Sequence, residues 1–325
     1  MRRLIAFDRL TRPANGAGLA AHPAHADARG WLRPLALLGA AACWGAGTVV
    51  SKQAVAELPP ITLLAVQLAV SLTVLTGAAV ARGVRLPGGR EGRLLGRLGL
   101  LNPGIAYALS LIGLTQISAS LSVLLWATEP ILILVLASLV LGERVGRGFV
   151  LGTGIAIAGL VLVVFDPAAT GALAGVALTV AGVGVCAVYT VAARRWLPGT
   201  PDSTFGVVLA QQAYALGLVV LVLVAMGVAG QPLVPEHLTA VGAASAAVSG
   251  LLYYTLAYLC YLFALRSIPA SVAAASFYLV PVFGVALASV VGERLEPVQW
   301  LGAVLVVGAV AGITMRPARV AASPA

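Results

Sequence analysis

Long apolar runs decide what this chain can fold into. Ten segments, at about 34–54, 60–81, 97–116, 119–141, 148–165, 172–193, 204–228, 238–263, 270–291 and 298–315, qualify as spans. Each approaches the roughly 20 mostly apolar residues with which a helix crosses about 30 Å of hydrocarbon. Inside a bilayer the backbone has no water to bond, so such segments must be helical. The predicted fold class is an all-α polytopic membrane protein with ten transmembrane helices. Composition agrees: 60% hydrophobic residues, 10% charged residues and a mean hydropathy of +1.02 do not suit a soluble domain.

Ten spans put both termini on one side, and the basic residues say which. The net charge of +9 suggests nucleic acid only until the arginines are located, because they cluster in tails and connectors. Eighteen basic residues fall on the amino-terminal side, against Lys52 and Arg294 on the other. Both termini are therefore expected in the cytoplasm, in a multi-pass protein of the plasma membrane. Residues 1–33 lack the apolar stretch of a signal peptide and are expected to be a disordered cytoplasmic tail, with 317–325 a second tail. Trp31, Trp196 and Trp300 fall at span ends, where indoles favour the headgroup zone, whereas Trp44 and Trp126 sit at mid-depth.

The chain also repeats itself. Residues 99–120, GLLNPGIAYALSLIGLTQISAS, set over 250–271, GLLYYTLAYLCYLFALRSIPAS, match at 10 of 22 positions, including Gly99 with Gly250 and Tyr107 with Tyr258. The register continues to Pro130 and Pro281, and ASLVLGER (137–144) answers ASVVGER (288–294) after one gap. Two five-helix copies, 34–166 and 167–316, follow. Because five is odd, the second copy enters the membrane upside down. Inverted repeats place a substrate site near the midplane, where the halves meet and rock.

The stretches CWGAGTVVSK (43–52), EPILILVLASLVLGER (129–144) and PVFGVALASVVGERLEPVQWLGAVLVVGAVAG (281–312) resemble the EamA-type transporters of the drug/metabolite superfamily. The likeness covers residues 34–316 and implies a secondary transporter, more often an exporter, of small metabolites such as amino acids, related compounds or drugs. Gln67 stands where that family often has an arginine, which argues against an anion-binding role for the second span.

Glu129 is the one acidic residue well inside a span. It lies about 21 Å along a helix from Glu143 at 1.5 Å per residue. A carboxylate at that depth costs roughly 2.5–3.5 kcal/mol on insertion scales and is expected to face the bundle interior. It either takes up a proton or holds an ammonium group of the substrate; a neutral, hydrogen-bonded structural role is the bland alternative. Pro130 and Pro281 are expected to kink repeat-related helices beside it, and Pro103 to be structural. Ser122, Trp126, Glu129 and Ile133, spaced 4, 3 and 4, share one helical face, so Trp126 borders whatever Glu129 faces. Tyr254, Tyr258 and Tyr261 form another stripe, and Tyr107 and Trp44 add aromatics at depth. Gln67, Gln211 and Gln212 are costly in hydrocarbon without partners, serving as interhelical glue or substrate contacts. Lys52, near the outer end of the first span, either binds a carboxylate or snorkels to the interface, the favoured reading, and the GER acids Glu143 and Glu293 are expected to cap or pair within turns. Gly308 and Gly312 are expected to pack closely inside the monomer or support a homodimer.

Several activities lose support. The single lysine, Lys52, follows Ser51, and no GK[ST] phosphate loop exists. The histidines His22, His25 and His237 lie outside the spans, and Cys43, Cys186 and Cys260 sit on separate spans as expected buried thiols, so no metal or other cofactor is expected. A membrane enzyme acting on a lipid-linked substrate remains the alternative reading, but general acid–base work needs paired groups and Glu129 stands alone. A channel needs a pore lined by repeated polar residues. The expected partners are a small-molecule substrate, the lipid bilayer and, if coupled, protons.

Overall fold

A computed structural model describes residues 31–55, 57–114, 116–117, 125–126, 128–143, 146–164, 172–200, 203–234, 237–290 and 297–314. Among them no strand occurs. The helices are α1 (Leu32–Val55), α2 (Pro60–Arg82), α3, α4 (Glu129–Leu141), α5 (Arg147–Val164), α6 (Leu173–Trp196), α7 (Thr204–Val228), α8, α9 and α10 (Pro297–Thr314). Three of these change pitch along their length. The third, α3, runs through Gly89–Arg97, a 3₁₀ turn at Leu98–Leu100, a π segment at Leu101–Ile105 and Ala106–Leu114. Likewise α8 joins Ala240–Gly250 to Tyr258–Leu265 through a π segment at Leu251–Ala257, and α9 joins Ala270–Ala275 to Leu279–Val290 through a 3₁₀ turn at Ser276–Tyr278.

Helices α1, α2, α3, α6, α7 and α8 are long and apolar enough to cross a membrane; the apolar α4, α5, α9 and α10 are shorter. Large apolar side chains such as Val80, Leu139, Leu173 and Val228 point outward, as lipid rather than water would favour. The helix ends show local causes. Pro60 starts α2, where its missing N–H is not needed. Gly83 closes the same helix at φ 60°, donating to the carbonyls of Ala79 and Val80, a left-handed cap that glycine adopts without a Cβ penalty. Ser203 and Thr239 cap α7 and α8 by accepting from the amides of Gly206 and Gly242.

Packing pairs the helices in an exchange pattern. α3 packs on α6 as α8 packs on α1; α4 packs on α6 as α9 packs on α1; α3 packs on α7 as α8 packs on α2. The pairs α2 with α7, α4 with α9 and α5 with α10 each map onto themselves when a helix is exchanged for the one five places later. Single residues repeat the pattern. A Cβ on Gly99 would collide with the backbone of Gln211 in α7, and one on Gly250 with the backbone of Gln67 in α2.

Four expectations change. Instead of starting near residue 97, α3 begins at Gly89, because Gly92, Leu95 and Gly96 turn a narrow buried face toward α7 despite the arginines between them. Gly308 and Gly312 do not pack closely inside the monomer: an added Cβ meets nothing within 4 Å, and α10 is approached instead at Gly152 and Gly159 of α5. Of the three thiols only Cys186 is buried; Cys43 and Cys260 are half-buried. Among the described residues Glu143 reaches across to the start of α9, accepting from Ala270 N at 2.8 Å, Ser271 N at 3.1 Å and Ser271 Oγ at 2.6 Å. Both tails, the Lys52 side chain, Ser122, Arg144, Glu293 and Arg294 lie outside the described residues.

Alanine at Gly99 or Gly250 is expected to lower the thermal unfolding midpoint in detergent, at a cost of about 1–3 kcal/mol of overpacking. Alanine at Gly308 is expected not to lower it. Scanning fluorimetry on the three variants checks both.

Candidate functional site

Glu129 is the first residue of α4. The carbonyl of the preceding Thr128 accepts from the amides of Ile131 and Leu132 at 3.1 Å, so Pro130 lies in the first turn, where no N–H is required. Residues 125–126 ahead of it are helical too, so Pro130 stands where one helical stretch gives way to α4, and the carboxylate lies at the positive end of the α4 dipole. Pro281 is also placed at a restart, in the first turn of Leu279–Val290 after the 3₁₀ turn. Glu129 is 5% exposed, and among the described residues no other acidic or basic side chain is buried. Its Oε1 has no hydrogen-bond partner among them. The Cys186 thiol of α6 is its hydrogen-bonding neighbour, and Tyr107 and Tyr261 lie within electrostatic reach.

A polar chain runs on from Cys186. Asn102 Nδ2 donates to Cys186 Sγ at 3.0 Å, and Tyr258 Oη donates to Asn102 Oδ1 at 2.9 Å. Asn102 holds an extended backbone (φ −141°, ψ 120°) inside the π segment of α3, which turns its amide toward α6 and α8. Sequence reasoning passed over both Asn102 and the specific place of Cys186. A signal for Asn102 was present: an amide in an apolar run is costly without partners, the argument applied to the glutamines.

The aromatic residues singled out in the sequence converge here. Tyr107 lies 5.7 Å from Trp126 and 5.6 Å from Tyr254 between ring centroids, and Tyr254 lies 6.2 Å from Tyr258. Trp44 of α1 stands edge-on to Tyr258 at 6.0 Å, Tyr261 at 5.5 Å and Phe277 at 5.4 Å. Tyr253 joins at 6.0 Å from Tyr107, its hydroxyl 2.6 Å from Thr48 Oγ1. The sequence stripes contained neither Tyr253 nor Phe277. The cluster thus draws on α1, α3, α8 and α9, with Trp126 just ahead of α4. Trp44 Nε1 is buried and unpartnered among the described residues.

Gln67 and Gln211 stand apart from this cluster. Gln67 Nε2 donates to Ser249 Oγ at 2.8 Å and Ser51 Oγ at 3.1 Å, linking α2 to α8 and α1. Gln211 Nε2 donates to the Leu95 carbonyl at 3.0 Å, and its Oε1 accepts from Tyr189 Oη at 2.9 Å. Tyr189 lies 6.5 Å from Tyr258, so Gln211 is one ring removed. Gln212 Nε2 donates to the Tyr254 carbonyl at 3.1 Å. Of the two readings for these amides, the structure displays the bonds of interhelical glue. No group of three His, Cys, Asp or Glu comes together among the described residues.

A buried carboxylate with one unbonded oxygen, near an aromatic cluster, can accept a proton or bind a cation. It cannot relay a proton to a second carboxylate or histidine at that depth among the described residues.

The model of the EamA-like transporter family matches the chain twice, over residues 32–165 and 173–315. No curated protein matches. Among solved structures, a crystal structure of a protein superposes with a TM-score of 0.73 at 20% identity, covering 87% of this chain and 96% of the other. That likeness shows a shared fold.

Tyr258→Phe removes the donor to Asn102 and is expected to cost about 1 kcal/mol of stability, whereas Tyr253→Phe, whose partner Thr48 also bonds the Trp44 carbonyl at 2.9 Å, is expected to cost less. Thermal unfolding of the two variants side by side checks the order.

Proposed function

Because the chain belongs to the EamA-like transporter family and is a multi-pass membrane transporter, we propose that it is a secondary carrier that exports small metabolites, amino acids, related compounds or drugs, by alternating access around Glu129. The observation that carries this reading is the buried carboxylate with an unbonded oxygen, set among rings contributed by both halves of the chain. In this reading Glu129 takes up a proton or the ammonium group of a substrate. Trp44, Tyr107, Trp126, Tyr254 and Tyr258 wall the site, and Gln67 and Gln211 hold its supporting helices. Pro130 and Pro281 restart helices at its edge.

The exchange pattern of helix packing and the two successive family matches support five-helix repeats at 34–166 and 167–316. The unequal division of arginines supports their inversion, with both termini in the cytoplasm of a plasma-membrane protein. A carrier needs no second catalytic group, which sets it ahead of an enzyme acting on lipid-linked substrates. Two carboxylate caps support alternating access. Glu57 accepts from Thr239 N at 2.7 Å and Thr239 Oγ1 at 2.8 Å at the start of α8, and Glu143 holds the start of α9 just beyond the other end of α8. Each cap crosses from one proposed repeat to the other, so each closes one mouth and must open in turn.

In proteoliposomes, Glu129→Gln is expected to reduce substrate exchange at least about tenfold, the loss of one charge-assisted bond, and to remove its dependence on pH. Unchanged flux with an unchanged pH profile would overturn the assignment. With Cys186 as the only remaining cysteine, Glu57→Gln is expected to raise its labelling from outside and Glu143→Gln from inside. Membrane-impermeant maleimides applied from each side measure this; equal labelling of both variants from both sides would refute the two-mouth reading.

A further inference from the structure

Resting on the reading of Glu129 as the transport site, we infer that the substrate is a small organic cation, an amine or ammonium compound with an apolar or aromatic body, in preference to a zwitterion or an anion.

Charge gives the first argument. Among the described residues Glu129 is the only buried acidic or basic side chain, so none of them sets a cation beside the carboxylate or offers one to a ligand's carboxylate. The arginine nearest in sequence to Cys186, Arg194, is committed at the helix end: its Nη1 donates to the carbonyls of Leu265 and Arg266 at 2.9 and 2.8 Å. A buried charge without a partner is costly, and Oε1 has none. An incoming ammonium supplies both the opposite charge and the missing donor.

The second argument is the lining. Tyr107 and Tyr261 lie within electrostatic reach of Glu129, and Trp44 and Trp126 pack on them at 5.5 and 5.7 Å. Aromatic faces attract cations within about 6 Å of the ring centroid, most strongly where water is excluded. A ring face offers a ligand carboxylate no such attraction.

The third argument is the donor inventory. The amides are engaged in the fold: Gln67 Nε2 bonds two serines, and Gln211, Gln212 and Asn102 each give an N–H to the Leu95 carbonyl, the Tyr254 carbonyl and Cys186. The buried donors left unbonded among the described residues are Trp44 Nε1 and the hydroxyls of Ser110 and Tyr278, all neutral. Tyr278 packs in a separate cluster with Leu160 and Val306. A zwitterion would satisfy Glu129 but, among the described residues, offer its own carboxylate only neutral donors, a desolvation penalty with little return.

Matched trios test this. Phenethylamine, phenylalanine and 3-phenylpropionate share a ring and differ in charge; equivalent trios on indole and butyl bodies complete the panel. Purified full-length protein is screened by thermal shift and by counterflow in proteoliposomes. The expected result is stabilisation and counterflow by at least one amine, with the matching zwitterion weaker by at least about tenfold and the matching anion inactive, an affinity gap of about 1.4 kcal/mol or more. A zwitterion or anion that matches or exceeds its amine, or a panel in which no amine binds, overturns the inference. Glu129→Gln separates this from failure of the site itself: a zwitterion lost in that variant keeps the site and discards the cation preference, whereas an amine bound equally well by the variant discards both. Glu129→Asp serves if the glutamine variant does not fold.

Discussion

Hydrocarbon offers a backbone nothing to bond with, and this one constraint organises the rest. Each apolar run must close its own hydrogen bonds as a helix, so any departure from helical geometry has to be covered by protein. The departures here gather in one region. The π segments Leu101–Ile105 and Leu251–Ala257 occupy matching places in α3 and α8, and the restarts at Glu129 and after Ser276–Tyr278 occupy matching places in α4 and α9. Irregular backbone at depth is tolerated where it is buried against neighbours, and π segments are frequent at functional places. In this chain the side chains leaving those segments reach shared neighbours in the interior: Asn102 and Glu129 both bond Cys186, and Asn102 and Tyr254 both adjoin Tyr258.

The glutamines show how the halves are held while that interior stays polar. Gln211 on α7 lies with its backbone against Gly99 of α3 and sends its amide to the Leu95 carbonyl, one turn earlier on the same helix. Gln67 on α2 lies with its backbone against Gly250 of α8 and sends its amide to Ser249 beside it. The same lock, a glycine that admits a backbone plus an amide that bonds the helix so admitted, is built twice. A side chain engaged in that way is held at the helix contact, and these amides divide from the aromatics in space.

Legibility followed the reach of each physical signal. Apolar length is a local property, and most of the helices lie close to the segments it marks; the start of the fourth segment, 119–124, lies outside the described residues. The depth of Glu129 and the spacing of Tyr254, Tyr258 and Tyr261 are also local, and these residues share the interior. What escaped depended on partners. Asn102 carried a cost in the sequence, but its neighbours Cys186 and Tyr258 are 84 and 156 residues away, and no spacing within α3 points to them. The early start of α3 was hidden by Arg90, Arg93 and Arg97, because three residues of buried face suffice when two are glycines. Gly308 and Gly312 misled because a GxxxG pattern states that a close approach is allowed and not that one occurs.

The acids of this chain separate by what receives them. Glu57 and Glu143 each accept from backbone amides at a helix start, Thr239 N in one case and Ala270 N and Ser271 N in the other. Helix N-termini are ready receptors for a carboxylate, so those two acids are satisfied by the fold alone. Glu129 also stands at a helix start, but at that of its own helix, where its side chain is not aimed at free amides of a neighbour, and one oxygen remains unbonded. A carboxylate completed by the fold makes a joint between helices. The oxygen left open at Glu129 calls for a proton or a cation to complete it, and a demand that an exchangeable species can fill and vacate is what a carrier requires of its central group.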